Sequence, residues 1–297
     1  MKENVGLFLT KRAHLSPTLE GYIDTATGER LSYPQLNARS NRTANMLRDL
    51  GVKKGDRVAL LLMNSKEFVE SFFAIAKIGA VVVPLNWRLV AEELGFILKD
   101  SGSTVLLFGE EFADNATKLH SGGSEMTDIK SWIYVGSADG KPDYAQDYAA
   151  LHESASDAEP VHEAEGDDLL YIMYTSGTTG LPKGAVHTHR SAIWACLTIG
   201  ATSEQRYRDK YLIALPLYHV GALTPLTRAV HGGQTCYVMR SFDPTATWRL
   251  IDEENIDTML AVPAMLGFML QVPDLDMYDS SALRWCMSGA APVPVTL

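Results

Sequence analysis

Hydrophobic positions along this chain switch repeatedly between two spacings. Near the amino terminus, Tyr22-Ile23-Asp24 and Arg30-Leu31-Ser32 flank a turn containing Gly28, which predicts a hairpin. Helical spacing follows at Leu36, Ala44, Met46, Leu47 and Leu50, with Ser32 placed to cap the helix and Gly51 to stop it. Gly55-Asp56 then turns the chain into the apolar run 57–63. A strand without polar alternation is covered on both faces, as in a parallel sheet. Helix 67–78 ending at Gly79, strand 81–85, helix 90–99 and strand 104–108 continue the pattern. Repeated β-α-β segments predict an α/β fold with right-handed crossovers.

The rhythm weakens between 121 and 168, where 132–135 reads as a strand. Glu153, Asp157, Glu159, Glu163, Glu165, Asp167 and Asp168 make this stretch acidic, but no ligand-like spacing repeats. A solvated connector is therefore expected rather than a metal site. Beyond it, 169–174 reads as a buried strand, 185–189 as a short second strand and 191–197 as a helix. Strands follow at 211–215, 235–239, 258–262 and 283–287. Asp243 and Pro244 start a helix through Trp248, Leu250 and Ile251, an acceptor at the cap and proline at the first helical position. The expected architecture is two packed α/β lobes, one of residues 56–190 and one of 20–55 with 191–297. No internal repeat is present, and 84–89 is read as structural.

Between two of these strands lies Tyr174-Thr175-Ser176-Gly177-Thr178-Thr179-Gly180-Leu181-Pro182-Lys183-Gly184. Small residues let a backbone curl closely around a polyanion, hydroxyls and N–H groups donate hydrogen bonds, and lysine supplies charge. A Walker A loop is excluded, because the places for its last glycine and its Ser or Thr hold Pro182 and Gly184. A solvated linker is the bland alternative. The anchoring strand, the lack of acidic residues and the stiffness of Pro182 favour a phosphate-cradling loop. His219 in Leu215-Pro216-Leu217-Tyr218-His219-Val220-Gly221 stands at a strand's end, where open α/β sheets bind ligands, although a lone histidine is more often a core residue. Ser288-Gly289-Ala290-Ala291-Pro292 could admit a flat ring against the backbone or simply form a tight turn. Val262-Pro263-Ala264-Met265 could border the same pocket. His187, His189, Arg190 and His231 show no repeated metal-ligand spacing.

The run from Tyr174 to Gly184, with His187-Thr188-His189-Arg190 behind it, closely resembles the signature of the adenylate-forming superfamily. That family includes acyl-CoA synthetases, luciferases and the adenylation domains of peptide synthetases. The resemblance extends from about Tyr22 onward. It implies that Thr175, Ser176, Gly177, Thr178, Thr179, Gly180 and Lys183 hold the phosphates of ATP, with Thr175 toward Mg²⁺ and Lys183 catalytic. It implies that Tyr218, His219, Val220 and Gly221 line the acid's site, with His219 catalytic, and that Ser288 to Pro292 contact adenine. Peptide-synthetase domains have Phe-Asp where this chain has Tyr218-His219, which favours a plain carboxylic acid over an amino acid. The implied activity is an acid–CoA ligase, with ATP, Mg²⁺ and CoA as the small-molecule partners. Alternatives are an acyl-AMP ligase loading a carrier protein, a luciferase-type oxidative enzyme, and a non-catalytic interaction piece.

Family members continue with a Tyr-Gly-x-Thr-Glu motif, a ribose-binding aspartate and a small domain carrying a catalytic lysine. None of these occurs before Leu297. The chain is thus expected to be an amino-terminal portion, weak or inactive alone, forming a homodimer or joining a carboxy-terminal portion. Composition adjusts this picture modestly. A net charge of −10 over 297 residues argues against nucleic acid or an anionic membrane as the main partner. Cys196, Cys236 and Cys286 are isolated and odd in number, which favours reduced thiols in the cytoplasm. No apolar run is long enough to span a bilayer, and 5–9 is too short for a signal-peptide core.

Overall fold

The chain enters through α1 (Gly6–Leu15), a helix that the apolar pattern does not mark because Leu9 alone of its large side chains is fully buried. Gly6 lets it press on the next layer: a Cβ there would meet the Lys77 backbone at 2.6 Å. β1 (Glu20–Asp24) and β2 (Arg30–Ser32) form the expected antiparallel hairpin. In α2 (Tyr33–Asp49) the Ser32 hydroxyl accepts from the Gln35 N–H while the Gln35 side chain accepts from the Ser32 N–H. This reciprocal cap satisfies backbone donors that a helix start otherwise leaves open. The computed structural model describes residues 3–175 and 180–294.

The first alternating region supplies β3 (Arg57–Leu61), α3 (Lys66–Lys77), β4 (Val81–Pro84), α4 (Ala91–Ser101) and β5 (Ser103–Gly109). Then come α5 (Ala113–Ser121), the one-turn α6 (Gly123–Met126), β6 (Ser131–Val135), β7 (Gln146–Asp147) and α7 (Tyr148–Ser154). β8 (Leu169–Thr175) and β9 (Lys183–Thr188) close this part. The second supplies α8 (His189–Thr202), β10 (Lys210–Ile213), α9 (Val220–Gly232), β11 (Thr235–Val238), α10 (Pro244–Glu253), β12 (Thr258–Leu260), α11 (Pro263–Met269) and β13 (Trp285–Met287). Among the described residues no helix is long and apolar enough to cross a membrane.

These strands build two sheets. One runs β7-β6-β5-β3-β4-β8-β9, parallel except for β9, and the other β13-β12-β10-β11-β1-β2, parallel except for β2. Alternate residues of one strand face opposite layers. Val58 and Leu60 of β3 join a central cluster with α2, α3 and α9, whereas Ala59 and Leu61 join a cluster with α4 and α5. In the second sheet, Tyr211 and Ile213 face the same central cluster, and Leu212 and Ala214 pack toward α10 and α11. The two sheets thus share one central helical layer.

Three expectations are corrected or refined. The strand expected at 185–189 ends at Thr188, whose hydroxyl accepts from the Ser191 N–H, so His189 opens the helix. α9 and α11 are helices that the sequence pattern does not mark, because Pro225 lies inside the first and the second has only seven residues. The acidic connector exposes most of its carboxylates, as a solvated connector should, but it is also tied down to the fold. Asn45 donates to the carbonyls of Ser156 and Ala158, Arg42 donates to that of Ala155, and Glu159 pairs with the buried Lys77 ammonium at 2.7 Å. Among the described residues no group of three or more His, Cys, Asp or Glu could hold a metal.

Candidate active site

A cleft of about 640 Å³ opens at the carboxyl ends of the second sheet's strands. Ala214, Leu215 and Pro216 follow β10, Val262 and Met265 follow β12, and Gly289 and Ala290 follow β13. The strand order turns here, since β11 lies on one side of β10 and β12 on the other. Crevices at such turning points are the usual ligand sites of open α/β sheets. The first sheet contributes across the gap: Asn64 follows β3, and Trp87 and Arg88 follow β4.

His219, Val220 and Gly221 line this cleft together with Gly289 and Ala290, segments about seventy residues apart in sequence. His219 is the residue before α9, and its carbonyl accepts from the N–H groups of Ala222 and Leu223. Burial, then the nearby Arg88 guanidinium, pushes its imidazole below the ordinary value. The positive end of α9 acts in the same direction. The ring is therefore neutral at physiological pH, able to donate from one nitrogen and accept at the other. Ala290 adopts φ +67° without being glycine, a backbone strain of the kind concentrated at ligand sites.

Tyr218 does not line the cleft. It is 2% exposed, packs edge-on against Trp87 at 5.9 Å and lies 4.4 Å from the His219 ring. Its role here is to hold the imidazole and the indole in place. Ser288, Ala291 and Pro292 also fall outside the lining, and the buried Ser288 hydroxyl has no hydrogen-bond partner among the described residues.

Residues that sequence reading did not single out complete the wall. Asn64 is 3% exposed; its amide donates to the carbonyls of Leu215 and Met239, both at 2.9 Å, and its oxygen accepts from the Leu217 N–H at 2.7 Å. One side chain thereby fixes the segment leading to His219. Arg88 lies with its guanidinium carbon 4.8 Å from the Trp87 ring centroid, and Arg240 pairs with Glu111. The only sequence signal was the 84–89 stretch, read as structural.

The phosphate-loop candidates stand elsewhere along the same edge. Thr175 ends β8 and Lys183 begins β9, and the two are directly opposed in the antiparallel ladder. Opposed residues project to the same face, so a hydroxyl and an ammonium flank one mouth. Both are exposed, and Lys183 has no ion pair with another described residue. Gly180 has φ +134°, a conformation that L side chains rarely adopt. Ser176, Gly177, Thr178 and Thr179 lie outside the described residues. β8 runs parallel to β4, so this mouth and Trp87-Arg88 share one end of the sheet. The pair fits a phosphate chain. For Mg²⁺, Thr175 fits as a single hydroxyl ligand beside phosphate oxygens, since this ion keeps waters and seldom takes an all-protein cage.

Comparison with known proteins identifies relatives of the chain. The chain is 43% identical over 295 residues to the long-chain-fatty-acid–CoA ligase FadD13 of Mycobacterium tuberculosis, covering 99% of this chain and 57% of the relative. It is 34% identical to feruloyl-CoA synthase of an Amycolatopsis species, covering 99% of this chain and 56% of that one. The chain thus spans about half the length of these curated relatives. The inhibitor-bound crystal structure of the N-terminal domain of FACL13 from M. tuberculosis superposes with a TM-score of 0.92 at 43% identity, covering 100% of this chain and 72% of that one. Residues 9–297 match the family described as AMP-binding enzyme, and the chain belongs to that family.

Proposed function

We propose that this chain serves an ATP-dependent acid–CoA ligase that converts a carboxylic acid first to an acyl-adenylate and then to a CoA thioester. The observation that carries the proposal is the cleft joining His219-Val220-Gly221 to Gly289-Ala290 at the turning point of the second sheet. Its walls are mainly apolar, which suits an acyl or aryl tail, and its polar groups are few and positive or neutral.

In the first step a carboxylate oxygen attacks the α-phosphorus of ATP and pyrophosphate leaves. Bringing two anions together dominates that barrier, so positioning and fixed charge do most of the work. Lys183, Thr175, Gly180 and the loop residues 176–179 would hold the phosphates. Mg²⁺, when bound with Thr175 as one ligand, would supply further charge on the phosphate oxygens. The neutral His219 imidazole would orient the acid's carboxylate, with the Arg88 charge keeping that carboxylate ionised. Ser288 to Pro292 would flank adenine. In the second step the CoA thiol sulfur attacks the acyl carbon and AMP leaves. The reducing cytoplasm is the proposed location, in keeping with free Cys196, Cys236 and Cys286.

Carboxylate-dependent exchange of labelled pyrophosphate into ATP tests the first step across a panel of fatty and aryl acids. Slow, acid-dependent exchange is expected, falling about 10²–10³-fold in Lys183→Ala. Exchange that ignores the added acid, or survives Lys183→Ala unchanged, removes the assignment.

A further inference from the structure

The first sheet opens a second crevice, of about 530 Å³, at the carboxyl ends of β3, β5 and β6. It also sits where strand order turns, with β4 on one side of β3 and β5 on the other. Leu62, Met63 and Val135 give it apolar walls, and Glu67 and Glu110 give it carboxylates. Arg240, in the segment after β11 of the other sheet, lines both this crevice and the cleft that holds His219. Its guanidinium pairs with Glu111, carried by the segment after β5. The ion pair therefore stands between two chambers of similar size. Its side chains are 47% and 41% exposed, so it is weakly held and can be displaced.

We propose that the Arg240–Glu111 pair is a partition that sets how far the tail of a bound acid can extend. The crevice behind it receives the tails of longer acids and favours those ending in a hydroxyl or ammonium. This rests on the acid-activating reading above. A plain tail would strip water from Glu67 and Glu110 without a hydrogen bond in return, whereas a terminal donor offsets that loss. Each methylene that meets an apolar wall adds about fourfold in affinity. A blocked tail is thus read as a break in a chain-length series.

Calorimetric titration of hexanoate, dodecanoate and ω-hydroxydodecanoate into the protein tests this. The readout is the affinity ratio of each long acid to hexanoate in wild type, Arg240→Ala and the reversed pair Arg240→Glu with Glu111→Arg. Arg240→Ala should raise the dodecanoate ratio about tenfold and the hydroxy-acid ratio further. The reversed pair should return both toward wild type. Ratios that stay equal in wild type and Arg240→Ala overturn the partition while leaving acid binding intact, whether or not the absolute affinities fall together. No binding of any acid by the wild type overturns both readings.

Discussion

The two crevices occupy equivalent places in two sheets of one chain, yet their walls differ in chemistry. The second sheet's cleft sets a neutral imidazole among Gly221, Val262 and Gly289. The first sheet's crevice sets Glu67 and Tyr148 over a buried network. There Arg39 donates to both oxygens of Glu70, which is wholly buried, and the Tyr148 hydroxyl donates to one of them at 2.5 Å. Burial, then the Glu70 charge, raises the Glu67 carboxyl above its ordinary range. Topology decides where each crevice opens, because diverging crossovers leave a gap at the strand ends. The segments leaving the strands decide what the gap can bind.

The most damaging test of this contrast is Glu70→Ala. It leaves Arg39 without its carboxylate and Tyr148 without its acceptor, at a cost of about 3–5 kcal/mol in urea denaturation. A loss below about 1 kcal/mol would mean that the network does not support the first crevice. Asn64→Ala comes next, at about 2–3 kcal/mol, because the Leu217 N–H and the Leu215 and Met239 carbonyls lose their partner. It should also weaken acid binding more than Glu70→Ala does, since it frees the segment leading to His219.

A smaller effect is expected where the chain crosses from one sheet to the other. His189 is fully buried at the start of α8, and its Nδ1 accepts from the Val5 N–H at 3.0 Å. Burial lowers it to about 4 from an ordinary 6.5, against the opposing pull of Asp168. The fold therefore binds the neutral ring. Its contribution, about 1–2 kcal/mol, is complete above pH 6.5 and is lost as pH falls toward 4. His152, also lowered to about 4, acts with the same sign. The stability difference between wild type and His189→Asn should thus change across that window and stay flat above it. The smallest effect is Arg88→Ala, which should raise the His219 pKa by less than about one unit in an NMR titration. Burial would still hold it below the ordinary value.

Much of the scaffold was legible because its strands are short, apolar and punctuated. The runs 57–63, 81–85 and 104–108 are covered on both sides, and continuous apolar sequence is what that environment selects. Ser32 and Asp243 announced their helices because cap chemistry is local. α1 and α7 were not legible. The first buries little, and the second is a seven-residue helix capped by Asp147 inside an irregular stretch. The candidate site divided in the same way. His219, Gly221 and Gly289 could be named from their neighbours in sequence, whereas Arg88 lay in a stretch read as structural and Arg240 carried no local signal.

By itself the sequence determined the alternation of strands and helices, the loop between β8 and β9, and the family. Each of these is written in residues close together along the chain. Only the tertiary structure decided that Asn64 would grip Leu215, 151 residues away, and that Tyr218 would turn inward while His219 faced the cleft. It also decided that Arg240 would stand between two crevices. Those outcomes depend on how two sheets pack across a shared helical layer, and packing partners distant in sequence leave no local pattern to read.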